Sequence, residues 1–283
     1  MTVSTKKYKI LRVSDKILMY VILIFVAIIT IFPFYWMIAT SIKPFDEIYT
    51  DNPSIIPKNI TFENYDFVIS YGYLNQLKNS VIISLTTAAL NTIISLFGAY
   101  AVARIKFLGK NVLIRSILAT YAMPYTLLVI PFFAIMLSLR LTNNLFSVIL
   151  AMTTFTLPFT VLTLASYLQS IPIEVEEQAL IDGCGRVDIL FRIILPLAAP
   201  AIVAISMYSF VFSWNEYLYV VVLVGSEDLF TLPVGIASLL TSDIIPWGKM
   251  LAMSVLYAIP GMAFFAFLQK YLIAGLTKGA LKY

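Results

Sequence analysis

Residues 17–42 read ILMYVILIFVAIITIFPFYWMIATSI, twenty-six positions without a charged side chain. At a rise of about 1.5 Å per residue, roughly 20 apolar residues in a helix cross the ~30 Å hydrocarbon core of a bilayer. Lys6, Lys7, Lys9, Arg12 and Lys16 precede the run, as basic residues precede the core of a secretory signal. A signal core, however, holds about 7–15 apolar residues before a small-residue cleavage site. The run is therefore expected to be a retained first span.

Five further stretches have the same character, at about 81–103, 116–139, 145–168, 197–224 and 250–268. Together the six hold one charge, Glu216 in the fifth. Barrel strands would alternate polar and apolar residues over about 10 positions; these runs are continuous, so the spans are helical. The whole chain agrees: 60% of its residues are hydrophobic, 12% are charged, and mean hydropathy is +0.92. A soluble domain carries about 25% charged residues. The expected fold is an all-α integral membrane protein with six transmembrane helices, read as one domain. A tail covers 1–16, the six-helix body 17–272 and a second tail 273–283.

Lys and Arg in the connecting segments orient such a protein, because basic loops stay cytoplasmic. With the N-terminus inside, fourteen of the nineteen bases are cytoplasmic: the five of the first tail, Arg104, Lys106, Lys110, Arg115, Arg186, Arg192, Lys270, Lys278 and Lys282. Lys43, Lys58, Lys78, Arg140 and Lys249 fall outside. Both termini are thus expected in the cytoplasm. The longest outer segment, 43–80, carries five acids and the breakers Pro44, Pro53 and Pro57. A surface helix is expected over 60–69, capped by Thr61. Pro33, Pro124, Pro131, Pro158 and Pro260 fall in spans. They read either as ordinary shaping of membrane helices or, for Pro124 and Pro131 above all, as a kinked pathway wall.

Several functions are excluded. Histidine, the commonest general base and metal ligand, is absent. Cys184 is the sole cysteine, so neither a disulfide nor a thiolate metal cage forms. No aspartate lies in a span, which removes an intramembrane aspartyl dyad. No G-x-x-x-x-G-K-[ST] motif occurs, so any ATP is hydrolysed elsewhere. The net charge of +4 is spread over the ends of apolar runs rather than gathered into a nucleic-acid patch. An ion-coupled secondary transporter would place several ionisable groups at the midplane and show large internal repeats; one glutamate and six spans fit it poorly.

The inner loop 170–196 reads SIPIEVEEQALIDGCGRVDILFRIILP and breaks the charge rule, with five acids against two bases. Ser170 suits an N-cap, Pro172 and Glu174 a first turn, and Gly183 a left-handed stop. A second short helix is expected over 186–194, closed by Leu195 and Pro196. Ile173, Val175, Ala179 and Leu180 would form the apolar face of the first helix. The loop reads either as a pair of interfacial helices that merely joins two spans or as a docking element. An anionic membrane surface repels acids, which favours a protein partner.

This loop resembles the cytoplasmic coupling loop of ABC importer permeases. That pattern is Glu-Ala-Ala, three residues, Gly, nine residues, Ile, one residue, Leu-Pro, met here by Glu177-Gln178-Ala179, Gly183, Ile193, Leu195 and Pro196. Gln178 stands where alanine is usual, and Cys184 where a small residue is common. The likeness extends along the chain to the carbohydrate-uptake branch, and specifically to the second permease of maltose-type systems. It runs through Asn79-Ser80, Ala99-Tyr100-Ala101-Val102-Ala103-Arg104, Met123-Pro124, Ile130-Pro131, Leu157-Pro158-Phe159, Trp214-Asn215-Glu216-Tyr217, residues 231–235 and residues 275–280. The resemblance implies a type I ABC importer fold in the cytoplasmic membrane. It implies as partners a homologous permease, two cytoplasmic ATPase subunits, an extracellular solute-binding protein and the lipid bilayer. The chain would bind no cofactor; ATP and Mg²⁺ would enter through the ATPase. Glu176, Glu177, Ala179, Asp182, Gly183, Ile193, Leu195 and Pro196 would carry coupling to that ATPase. A sugar or oligosaccharide is the expected cargo, with another polar solute such as a glycerol phosphate as the alternative.

A buried carboxylate in a span is costly and marks a functional site by default. Glu216 could therefore touch solute, sit at a wet helix end, or pack between helices. Tyr208, Ser213, Trp214, Asn215, Glu216 and Tyr217 supply the hydrogen-bonding and aromatic groups that a sugar pathway needs. Ser138, Asn143 and Asn144 are weaker choices.

Overall fold

The computed structural model describes residues 3–280, with side chains over 15–271. Among the described residues all regular structure is helical. Four helices are long and apolar enough to cross a membrane: Asp15–Ser41, Tyr73–Arg104, Leu145–Gln169 and Trp247–Tyr271. Two bent pairs, Lys110–Tyr121 with Tyr125–Ser138 and Arg186–Leu197 with Ala199–Trp214, bring the spans to six when each pair counts as one. Contacts divide the chain into two compact units, one running to Tyr71 with Ser242–Val255, the other Gly72–Thr241 with the chain from Leu256.

In the first unit the opening helix runs on through Pro33 to Ser41. Its side chains from Ile17 to Phe34 are exposed on every face, as a helix solvated by lipid requires. The chain then turns into a tied loop. Lys43, fully buried, donates to the Ser54 carbonyl at 2.5 Å and lies over the Trp36 ring. The Glu47 carboxylate accepts from Ser54 Oγ at 2.5 Å and from the amides of Lys58 and Asn59 at 2.8 and 3.1 Å. The Ser54 hydroxyl, then these amides and the charge of Lys43, hold its pKa down to about 2. The expected surface helix is present as Glu63–Ser70, with Thr61 Oγ1 accepting from the Glu63 amide at 3.3 Å. Tyr49 donates its hydroxyl to the Ile245 carbonyl and accepts from the Trp247 amide at 2.9 Å.

In the second unit Tyr73–Arg104 and Leu145–Gln169 lie side by side, and Ala199–Trp214 packs on both. Their seam is polar and buried. Asn91 Nδ2 donates to Thr156 Oγ1, and Ser95 Oγ to Thr160 Oγ1 at 2.7 Å, while Thr92 and Ser206 share a hydrogen bond of 2.7 Å. Small hydroxylated residues let membrane helices approach closely and bond across.

Two expected spans are not single helices. The third, 116–139, bends by 93° between Tyr121 and Tyr125. Pro124 is there in an extended conformation (φ −62°, ψ 116°) and has no amide to continue the ladder. Pro131 lies in the first turn of Val129–Ser138, where a missing amide costs nothing, so it makes no kink. Pro33, Pro158 and Pro260 sit inside continuous helices. The fifth, 197–224, stops at Trp214, and a separate helix, Leu218–Leu223, begins after it. The reason is competition for backbone groups: the Tyr257 hydroxyl donates to the Trp214 carbonyl, and Glu216 Oε1 takes the Tyr219 amide at 2.7 Å.

Candidate functional site

The inner loop folds as a helix, Glu174–Ile181, a turn, and a second helical stretch, Arg186–Leu197, whose middle, Ile189–Ile194, is π-helical. Gly183 has φ +85°, with open space where a Cβ would stand, so glycine is favoured by conformation and not by crowding. The start differs from expectation. Ser170 ends the preceding helix, with Oγ bonded to the Tyr167 carbonyl at 2.7 Å, and Pro172 lies outside the new helix, which carries no side-chain cap. Serine back-bonds readily to a carbonyl three residues earlier, and here that bond outcompetes capping.

The faces of the acidic helix also differ. Its buried positions are Glu176 and Ala179, while Ile173, Leu180 and Ile181 are exposed. Glu176 is drawn inward by a buried cation. Arg104 Nε, at the end of Tyr73–Arg104, donates to Glu176 Oε1 at 2.5 Å, Tyr100 donates its hydroxyl to Oε2 at 3.0 Å, and Arg104 Nη2 donates to the Ile171 carbonyl at 2.8 Å. Both charged side chains are under 10% exposed. A charge in such surroundings stands only when paired and hydrogen-bonded. Beneath it, Ala179 packs with Ile189, Leu190, Ile194, Leu164 and Leu168. Glu177, Asp182 and Pro196 face outward, and Ile193 and Leu195 are half-buried against the same core. Leu180, Ile181 and Val187 leave 49, 86 and 69% of their surface open beside Glu177 and Asp182.

The residues expected along the pathway scatter. Trp214 is buried in a stack with Phe210 and Tyr257. Ser213 bonds back to the Ser209 carbonyl at 2.6 Å, and Asn215, exposed, to the Val211 carbonyl at 2.8 Å. Glu216 sits in the helix break rather than in a helix, its carboxylate facing the amides of Tyr217, Leu218 and Tyr219. That is a helix-capping arrangement, which satisfies amides left free at the start of Leu218–Leu223. Tyr217 is exposed on the same turn. Asn143 ties down Gly225 and Ser226, Asn144 caps Leu145–Gln169, and Ser138 bonds to the Ile135 carbonyl.

Tyr208 alone of that set lines a cavity of about 410 Å³ that opens against the 93° break. Its other walls include Tyr121, Pro124, Tyr125, Phe155 and Phe212. Sequence reasoning marked Pro124 but passed over Tyr121 and Tyr125, on either side of the break in the third span, and Phe155 on the fourth. It likewise read Arg104 as a topogenic charge; the signal it carried was a base placed at the last residue of an apolar run.

Comparison with known proteins agrees with this geometry. The family model described as "Binding-protein-dependent transport system inner membrane component" matches residues 92–278. The trehalose/maltose transport system permease protein MalG of Thermococcus litoralis is 35% identical over 96% of this chain and 98% of its own. The diacetylchitobiose uptake system permease protein DasC of Streptomyces coelicolor is 35% identical over 89% of this chain and 92% of its own. The crystal structure of a bacterial ABC transporter involved in the import of the acidic polysaccharide alginate has a chain that superposes with a TM-score of 0.75 at 23% identity, covering 96% of this chain and 98% of that one.

Proposed function

Because the chain belongs to the family of binding-protein-dependent transport system inner membrane components, we propose that it is a non-catalytic permease subunit of an ATP-driven importer, carrying a sugar or oligosaccharide delivered by a binding protein. Relatives named for trehalose, maltose and diacetylchitobiose transport support the cargo class. The observation that carries the coupling role is the inner loop: exposed Glu177, Leu180 and Ile181 on a helix tied to Arg104, followed by exposed Asp182 and Val187 across the turn. Such a face is too apolar to be left to water and too acidic for a lipid surface, which supports a protein cleft as its cover.

In this reading a homologous permease completes the pathway, and two cytoplasmic ATPase subunits bind ATP and Mg²⁺. The binding protein meets the outer loops 43–80 and 225–248, and both termini are cytoplasmic. The stiff helix acts as a lever: it transmits ATPase motion when its contacts differ between the nucleotide states. The test is binding-protein-stimulated ATP hydrolysis by the reconstituted complex. Gly183→Pro forces φ to about −65°, and Glu177→Lys reverses a charge at the docking face. Each is expected to leave the complex assembled and to cut stimulated hydrolysis by more than tenfold. Unchanged hydrolysis and uptake in both variants would make the loop a mere connector.

A further inference from the structure

The link between the second and third spans carries a cluster of charge that neither the coupling role nor the pathway uses. Residues 105–109 join Tyr73–Arg104 to Lys110–Tyr121, and Gly109, at φ +86°, turns the chain. The Arg104–Glu176 ion pair puts this link at the same end of the helices as the acidic helix Glu174–Ile181. Its own charge is opposite. Lys106, Lys110 and Arg115 fall within ten positions, and no acid occurs from residue 67 to residue 173. Among the described residues none of the three bases enters an ion pair. Lys110 Nζ has only a long bond, 3.5 Å, to the Ile105 carbonyl.

The apolar side chains beside these bases are open. Phe107 is 39% exposed, Leu108 is fully exposed, and no residue of Lys110–Tyr121 is buried. Phe107 and Leu108 thus continue the open apolar surface of Val112, Leu113 and Leu118 along the span. A hollow of about 430 Å³ lies against residues 106–112. An acidic protein would pair the bases but give no reason for the apolar surface to run on into the span. A bilayer surface meets both needs at once, because headgroup phosphates face the bases while acyl chains take the apolar side chains. A zwitterionic headgroup brings its own cation, so bases without a partner favour a headgroup of net negative charge.

We infer that residues 106–115 form a docking site for an anionic phospholipid. Lys106, Lys110 and Arg115 supply the charge that draws the headgroup, and Phe107 and Leu108 insert beside its acyl chains. The site goes beyond the importer reading and rests on it only for the leaflet that the link meets, the cytoplasmic one, whose surface is anionic. Two elements at one end of the helices then have separate partners: an acidic helix for protein and a basic link for lipid.

The experiment is photo-crosslinking of the assembled complex in phosphatidylcholine nanodiscs. The probes are trace phosphatidylglycerol or phosphatidylcholine bearing the same diazirine acyl chain. Mass spectrometry of the digested chain reads the label on residues 105–118. Each base near an anionic surface is worth about fivefold in binding, so the phosphatidylglycerol probe is expected to label this segment on the order of tenfold more than its partner. Lys106→Gln, Lys110→Gln and Arg115→Gln together are expected to abolish that preference, and Leu108→Ser to lower labelling by both probes. Gel filtration checks that the variant complexes assemble, and the comparison of probes on the unaltered complex needs no variant. Equal labelling by the two probes, a label indifferent to either variant, or a segment that neither probe reaches because protein covers it would overturn the site. If binding-protein-stimulated ATP hydrolysis persisted in any of these cases, the importer reading would stand without it.

Discussion

Gly183 shows how much one residue can decide. Its φ of +85° leaves open space around the missing Cβ, so steric crowding is not the constraint; backbone conformation is. Asparagine visits this region at small cost, whereas a β-branched residue meets a strain of about 1–2 kcal/mol. Gly183→Asn is accordingly expected to keep most binding-protein-stimulated hydrolysis, and Gly183→Val to lose about tenfold, measured in the same reconstituted complex. If the two behaved alike, the turn's handedness would be irrelevant to coupling. This position was legible in the sequence because only a few residues adopt that turn. Ser170 was not, because a serine at a helix junction can cap forward or bond back, and the backbone of Tyr167 settled the choice. Glu216 was legible as unusual, but its duty at the start of Leu218–Leu223 depends on where the preceding helix stops.

Between elements, the Arg104–Glu176 pair joins the C-terminal end of Tyr73–Arg104 to the acidic helix, so that a push on one is felt by the other. Removing one partner of a buried pair costs about 3–5 kcal/mol, since the other charge stays behind unpaired. Arg104→Gln and Glu176→Gln are each expected to reduce the solute carried per ATP hydrolysed. The exchanged pair Arg104→Glu with Glu176→Arg should restore part of that ratio. A loss of assembly alone, with the ratio unchanged in whatever complex forms, would make the pair merely structural. The amphipathic reading of this helix failed for a physical reason. Periodicity counts apolar residues, but a base fixed at the end of the neighbouring span overrode it by demanding a counter-ion inside. The helices themselves were largely legible from apolar runs of membrane length. The breaks were legible only at Pro124, since the second break arises from two side chains, Tyr257 and Glu216, taking backbone bonds.

For the molecule as a whole, the asymmetry of Lys and Arg predicts that both termini and the inner loop face the cytoplasm. Cys184, the sole cysteine and half-exposed in that loop, is a built-in reporter. A membrane-impermeant maleimide is expected to label it in inverted vesicles and not in intact cells, with the reverse pattern for Lys58→Cys in a Cys184→Ala background. The opposite result would invert the topology. The six-helix body was legible at this scale because lipid imposes length and composition so strictly. The two-unit division was not, because it reflects contacts between segments far apart in sequence. The opening helix carries a last consequence. Its uncharged helical stretch, residues 17–41, spans about 37 Å, about 7 Å more than a typical hydrocarbon core. The mismatch must be taken up by inclination of the helix or by local thickening of the bilayer. Acyl-chain length thus bears directly on the posture of this helix, and membranes grown thin or thick will hold it at different slants.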